Sequence, residues 1–388
     1  MRALAYTQGE QERLGDRLKK SQWILGLVVL AALIALAFWA RTRIHFDFHV
    51  FSAQVARADW RLIAVGAACI YIGFVFRAFR WSLLIRHEQR VSTLSLLGTQ
   101  VIGFTAVALI GRVADPVRPF LVARKTGLSL GSQIAVYIVE RLLDAGSMAL
   151  IFSVAMIWVP GDQLLHATAH SGPIARLVPH HQNLALFIAR FGGLCLTLFG
   201  TLFLVAVRLA GGAVAQIFEK GLGLVSKNLG HAVASKIRQF HSGLDTMRSF
   251  GDFAAVTGTS LSMWLLITFA YFVTCRAFPD LSALTAPKCV LLMVASGTAS
   301  VIQLPVIGWF SQIGLVAVAI SGILGAGAEA ATACATTLLL VTFLGVVPVG
   351  LIWAQFEHIS LRKVALESEL AGEVVAKQEE AADSTVAG

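Results

Sequence analysis

Charged residues are scarce in this 388-residue chain, at 14%, against about a quarter in soluble domains. With 57% of residues hydrophobic and a mean hydropathy of +0.75, that scarcity excludes a soluble enzyme, a disordered chain and a collagen-like one. The five cysteines, Cys69, Cys195, Cys275, Cys289 and Cys334, form no CxxC pair and are odd in number, so they read as small packing residues and not as a disulfide framework or metal site. His166, His170, His180 and His181 share one loop without a ligand spacing, and His87-Glu88 lacks the second histidine of a zincin helix. No cofactor and no metal are expected. No phosphate-binding GxxxxGK[ST] loop is present, which excludes direct use of a nucleoside triphosphate. The net charge of +9 is not arranged as a basic stripe with interleaved aromatics, so no nucleic acid partner is expected. Gly127-Leu-Ser129-Leu-Gly131 matches G-x-S-x-G in form only, since a nucleophile elbow needs a strand, a turn and a helix in an α/β sheet.

What the chain does have is a series of apolar stretches near membrane-spanning length. Residues 1–22 read as a cytoplasmic tail, 23–356 as a transmembrane domain, and 357–388 as a disordered, solvated cytoplasmic tail rich in Ala and Glu. Within the domain, spans are expected at Trp23–Ala40, Leu62–Phe79, Ile134–Trp158, Leu184–Val207, Phe253–Cys275 and Ala331–Trp353. The stretch Arg80 to Arg90 reads as a basic loop, and 208–252 as a cytoplasmic interfacial segment. Lys and Arg concentrate in 80–125 and 208–252, whereas 159–183 holds only Arg176; the positive-inside rule then places both termini in the cytoplasm of a bacterial-type inner membrane. On that topology 94–125 and 288–324 each leave and return on one side. The expected fold class is therefore all-α: a polytopic helical membrane protein of about six full spans plus two re-entrant hairpins, or about eight spans if both hairpins cross.

The two hairpins also align with each other. Ile110-Gly-Arg-Val-Ala-Asp115 matches Ile307-Gly-Trp-Phe-Ser-Gln312, and in each a Gly-containing turn follows, at Gly127 and at Gly322–Gly325. Entered from opposite faces, they suggest the inverted repeat of a transporter.

Ionised side chains in an otherwise apolar stretch are the strongest functional signal. Glu140, Arg141 and Asp144 lie in Ile134-Ala-Val-Tyr-Ile-Val-Glu-Arg-Leu-Leu-Asp-Ala. At ~1.5 Å per residue, Asp144 falls roughly 15 Å past Ile134, near the middle of a ~30 Å hydrocarbon core. A charge there costs at least ~2.5–3.5 kcal/mol, so partners or water must meet it. Glu140 and Asp144 share a helix face, and Arg141 reaches Asp144 at three residues' distance. The group reads either as a neutralised structural lock or as a polar patch for a lipid headgroup or protons. Arg112, Asp115 and Arg118 precede it in a polar knot, and clustered guanidinium groups suit a phosphate. Arg77 and Arg80 either join this basic vestibule or snorkel at a cytoplasmic boundary.

The ordered set Arg77-x-x-Arg80-Trp81, Ile110-Gly-Arg-Val-Ala-Asp-Pro-Val-Arg118, Gly127-Leu-Ser and Val139-Glu-Arg-Leu-Leu-Asp144 resembles the lysylphosphatidylglycerol synthase transmembrane (flippase-like) family, with Leu304-Pro-Val-Ile-Gly308 similar to its second Pro-Gly loop. The similarity runs from about Trp23 to Trp353. It implies a protein that binds or moves a phospholipid or an isoprenoid- or glycolipid-like amphiphile. Bifunctional members carry a soluble aminoacyl-transferase domain after the membrane region; with 35 residues beyond Trp353, this chain is expected to be a standalone member without it. It departs from the family pattern at Asp115, where Glu is common, at Gln312, where an acid is expected, and at Thr337–Leu340, where an Arg is often found.

The resulting expectation is a lipid translocase and not an enzyme, with Arg77, Arg80, Arg112, Asp115, Arg118, Glu140, Arg141, Asp144 and Gln312 as substrate-binding candidates. Its partner is a membrane lipid, and a homo-oligomer or an envelope-assembly complex is a further possible partner. The alternatives are a membrane-embedded lipid-modifying transferase, with Glu140 or Asp144 as base, and a non-transporting scaffold.

Overall fold

A computed structural model describes residues 47–158, 182–223, 249–299 and 307–361, together with positions 230, 233, 234, 364 and 367. The expected first span Trp23–Ala40, the 1–22 tail, the histidine loop, the Gln303-Leu304-Pro305 break, most of the 224–248 segment and the end of the C-terminal tail lie outside them. The chain divides into two units, Met1–Phe51 and Ser52–Gly388. In the first, the described residues open helix α1 (Phe48–Arg57), where Asp47 accepts from the backbone N–H of His49 at 2.7 Å.

The described residues of the second unit form helices joined by short turns, without a strand. Its helices are α2 (Trp60–Ile85), α3 (Thr93–Ile110), α4 (Val117–Thr126), α5 (Leu130–Ile157), α6 (Gln182–Gly223, kinked at Ala210), α7 (Phe250–Arg276), α8 (Ala286–Ala299), α9 (Ile307–Leu324), α10 (Ala328–Leu339) and α11 (Val346–Phe356). A π-helical turn at Leu340–Leu344 makes α10 and α11 one continuous rod. Four helices are long and apolar enough to cross a membrane: Trp60–Ile85, Thr93–Ile110, Gly251–Arg276 and Ala328–Phe356. Large apolar side chains face outward while several charged and polar ones lie inside an otherwise apolar core. Phe79, Leu265, Phe269 and Val318 are exposed, while Arg80, Arg118, Gln133 and Glu140 are buried, as expected where lipid is the solvent and helices associate through small and polar residues.

Helix α2 packs most extensively on α7. Gly66 permits this, because a Cβ there would land on the Thr274 side chain and 3.3 Å from the Ala270 carbonyl. The pair is clamped at both ends. The Asp59 N–H donates to the Ala277 carbonyl at 2.8 Å and Gln54 to Asp280 at 2.5 Å; at the far end Arg86 and His87 both meet Asp252. Asp252 and Ser249 also form a reciprocal capping box that starts α7. The second span is thus longer than its expected Leu62–Phe79. It continues through Arg80 to Ile85 because Arg80 finds carboxylate partners and Trp81, Leu84 and Ile85 are buried, so the basic loop begins only after the helix.

Helix α3 packs against α2 and α11. At Gly350 a Cβ would overlap the Thr105 side chain and approach the Val101 carbonyl to 3.1 Å. Backbone on the α3 side cannot yield cheaply, so Gly350→Ala is expected to cost ~1–3 kcal/mol through overpacking. That should appear as a lower unfolding temperature in detergent; an unchanged one would mean the α3–α11 interface is looser than drawn.

Two glycine turns recur. Gly127 (φ 74°) ends α4 and α5 begins three residues later; Gly325 (φ 70°) ends α9 and α10 begins three residues later. Both sit in the left-handed region where a Cβ is costly. Upstream, the aligned segments differ, since Ile110–Asp115 leaves a helix through a 3-10 turn whereas Ile307–Gln312 opens one.

Candidate functional site

The site grows from three local features. On α5, Tyr137, Glu140, Arg141 and Asp144 follow the i, i+3, i+4, i+7 spacing of one helix face, and Asp144 is the fifteenth of 28 residues, at the helix midpoint. Ser129, from the G-x-S-x-G match, caps this helix by accepting from the Ser132 N–H at 3.2 Å, which is its role here. On α2, Arg77 and Arg80 lie one turn apart, and the neighbouring Trp81 indole donates to Gln133 Oε1 at 2.9 Å, fixing α2 against α5. Between α3 and α4, Gly111 (φ 91°) and a 3-10 turn at Arg112–Ala114 reverse the chain. The Arg118 stem therefore returns over Gly103, where any Cβ would collide with Arg118 Cγ.

These elements converge on one ion cluster. Arg80 is 1% exposed. Its Nη1 donates to Asp144 Oδ1 at 2.6 Å and to Ser260 Oγ at 2.8 Å, and its Nη2 to Glu140 Oε1 at 2.5 Å. The Trp264 indole donates to Asp144 Oδ1 at 3.1 Å. Arg118 lies 3.4 Å from Glu140, and Arg141 2.8 Å from Asp144. Arg77 stands off, its Nη1 3.9 Å from both carboxylates. Two aromatic rings complete the frame: Phe104 lies under the guanidinium groups of Arg77 and Arg118, each at 4.7 Å, and Tyr137 under Arg118 at 4.9 Å and Arg141 at 5.3 Å. Such contacts are worth ~0.5–2 kcal/mol each.

Sequence reading brings the right residues together but misassigns some places. The pairing of Arg141 with Asp144 and the shared face of Glu140 and Asp144 are as expected. Snorkelling of Arg77 and Arg80 is corrected: Arg80 is the buried centre of the cluster, because two carboxylates on α5 satisfy it. A partly open cavity of about 550 Å³ lies against the cluster, lined by Arg77, Arg112, Asp115, Arg118, Arg141 and Gln312 among others. Glu140, Asp144 and Arg80 do not line it. The carboxylates stand behind the arginines and hold them, so they position the lining and are not themselves its surface. Arg112 and Asp115 face each other at 4.0 Å in a more exposed part of the site.

Residues missed in the sequence include Phe104, Trp264, Ser260, Tyr271 and Ser296. Only Tyr137 carried a usable signal, its spacing of three and four from Glu140 and Arg141. The π-helical turn, a distortion frequent at functional sites, adds Thr342 and Phe343 to the lining. The two aligned segments approach each other here, since the Trp309 indole donates to the Ala108 carbonyl at 3.1 Å and both Asp115 and Gln312 line the cavity.

Electrostatically the cluster is unbalanced. Four guanidinium groups (Arg77, Arg80, Arg118, Arg141) face two carboxylates, an excess of two positive charges. Arg77 Nη1, Arg118 Nε and Arg141 Nε are buried without a hydrogen-bond partner among the described residues. Buried donors are rarely left so, and leaving a charged one unpaired costs ~1–3 kcal/mol or more. The arrangement suits an anion with several acceptor oxygens, which guanidinium groups bind in bidentate fashion. No group of metal-binding side chains occurs among the described residues.

Among known families, the one described as the lysylphosphatidylglycerol synthase TM region matches residues 23–350. No curated protein and no solved structure matches the chain.

Proposed function

Because the chain belongs to the lysylphosphatidylglycerol synthase transmembrane-region family and is a multi-pass membrane protein, we propose that it binds the headgroup of a membrane lipid in the arginine-lined cavity and passes that lipid between leaflets. The observation that carries this reading is the excess of guanidinium groups, with unpaired buried donors, on a partly open cavity at the midpoint of a long helix. A headgroup phosphate supplies the acceptor oxygens and the counter-charge, while the acyl chains remain in lipid against the exposed apolar faces. Isolated charges at such depth are unfavourable unless cargo, water or counter-ions meet them.

In this reading the α3–α4 and α8–α9 pairs are re-entrant hairpins of an inverted repeat and gate the cavity from opposite leaflets. Their meeting at Trp309 and Ala108, and the twin glycine turns at Gly127 and Gly325, support that arrangement. Lys and Arg distribution supports an inner membrane with cytoplasmic termini.

Liposomes containing the purified protein and a fluorescent phospholipid test it. With a membrane-impermeant quencher outside, the inner-leaflet signal is expected to be lost in protein-containing vesicles and kept in empty ones. A change in lipid mass would instead establish a transferase, and neither change would leave a scaffold; either result overturns translocation.

A further inference from the structure

We infer that Cys275 and Cys334 form a cross-linking site, a dithiol that closes to a disulfide and staples α7 to α10 on the extracytoplasmic side of the bundle. The Cys334 thiol donates to Cys275 Sγ at 3.5 Å, across 59 residues of chain. Both side chains are fully buried. A disulfide draws its sulfurs to ~2.05 Å and needs Cα atoms within about 7 Å of each other, so its helices must pass close together. Around Cys334 the buried residues Ala330, Ala331, Ala333 and Ala335 keep α10 thin, and small side chains of this kind let helix backbones approach. The last ~1.5 Å between the sulfurs is of the size that rotation about the Cα–Cβ bonds covers. The remaining cysteines are placed elsewhere. Cys289 Sγ faces the Thr268 carbonyl at 3.6 Å, about two turns back along α7, while Cys69 is buried on α2 and Cys195 is exposed on α6.

Position along the helices gives the pair its surroundings. Cys275 is the penultimate residue of α7, and Cys334 lies two turns into α10. The opposite ends carry the basic contacts: Asp252 meets Arg86 and His87 at the start of α7, and Glu357, just past α11, meets Lys125 at 2.9 Å. Resting on the proposed orientation, those ends are cytoplasmic and the thiols lie toward the oxidising side, where disulfides form and persist. The oxidant is a disulfide of that compartment, and the step is thiol–disulfide exchange. One cysteine thiolate attacks it and releases a thiol; the second thiolate displaces the other half as a second thiol and forms the Cys275–Cys334 bond. The electron pair and the two cysteine protons end on the two released thiols. Since α7 gives the cavity Trp264 and Tyr271, and the α10–α11 rod gives it Thr342 and Phe343, the bond ties two of its walls together.

The full chain in bacterial inner membranes, kept free of reductant, is denatured in N-ethylmaleimide, then reduced, alkylated with iodoacetamide and mapped by peptide mass. Cys275 and Cys334 are expected to carry the second label, and Cys69, Cys195 and Cys289 the first. Cys334→Ala, whose methyl suits the alanines around it, is expected to return Cys275 to the first label. Cys275 still blocked in that variant would overturn the pairing. Linkage that appears only after added dipyridyl disulfide would keep the pair and overturn its extracytoplasmic placement; no linkage even then would overturn the pair itself. Reduction is expected to lower the unfolding temperature in detergent by roughly 3 °C or more, with no change in Cys334→Ala; an equal temperature in the reduced wild type would overturn the staple.

Discussion

Arg80→Ala is expected to destabilise the protein by ~3–5 kcal/mol, the penalty for breaking a buried ion pair from one side. Arg80 contacts Asp144 at 2.6 Å and Glu140 at 2.5 Å and is 1% exposed. Removing it strips the closest partner from both carboxylates at once, deep in the bundle where water cannot replace it. Arg118, at 3.4 Å from Glu140, and Arg141, at 2.8 Å from Asp144 and 3.4 Å from Glu140, soften the loss, but neither replaces the two short contacts that Arg80 makes at once. Against a total of ~5–15 kcal/mol for a typical domain, such a loss should sharply reduce the monodisperse protein recovered in detergent. Arg80→Lys is expected to recover little, because an ammonium is a point charge and cannot place two nitrogens on two acids in one plane. Pairing Arg80→Ala with Asp144→Asn should restore part of the stability, since the orphaned charge goes with it; a coupling energy near zero in that double-mutant cycle would show that the bridge is not what holds α2 to α5.

That cluster also marks how much of the fold is legible in the sequence. Every eighteen-residue stretch of α5 contains Glu140, Arg141 and Asp144, so their cost in lipid announces partners from sequence alone. The i, i+3, i+4 geometry of a helix then fixes which of the three share a face. Partners on other helices were legible only as nearby basic residues. Arg80 follows eighteen mostly apolar residues and looks like the end of a span, and nothing local distinguishes a snorkelling arginine from one that turns inward to an acid sixty residues away. The division of labour was invisible for the same reason. Whether Glu140 faces the cavity or stands behind Arg118 depends on the Arg118 stem crossing Gly103, a contact set by the reversal at Gly111. Phe104 and Trp264 were hidden more completely, because in an apolar stretch an aromatic under a guanidinium reads the same as one facing lipid.

The placement of Arg77 gives the sharpest separation between holding the fold and handling cargo. Its Nη1 is 3.9 Å from each carboxylate and has no hydrogen-bond partner among the described residues, and it lines the cavity with 11% of its side chain exposed. Truncating it removes no short ion pair, and the contact with Phe104 is worth ~0.5–2 kcal/mol, so Arg77→Ala should fold close to wild type. A charge-assisted hydrogen bond to a phosphate is worth ~1.5–3 kcal/mol, and 1.4 kcal/mol is tenfold. Lipid affinity, and with it the rate of leaflet exchange at limiting lipid, is therefore expected to fall by about ten- to a hundredfold in this variant. Arg77→Lys keeps the charge but loses the planar fork and should fall between the two. The informative comparison is with Arg80→Ala: one variant folded and slow, the other poorly folded. Wild-type exchange by folded Arg77→Ala protein would mean that headgroups pass without touching the free guanidinium, and the arginine wall would then be scaffolding alone.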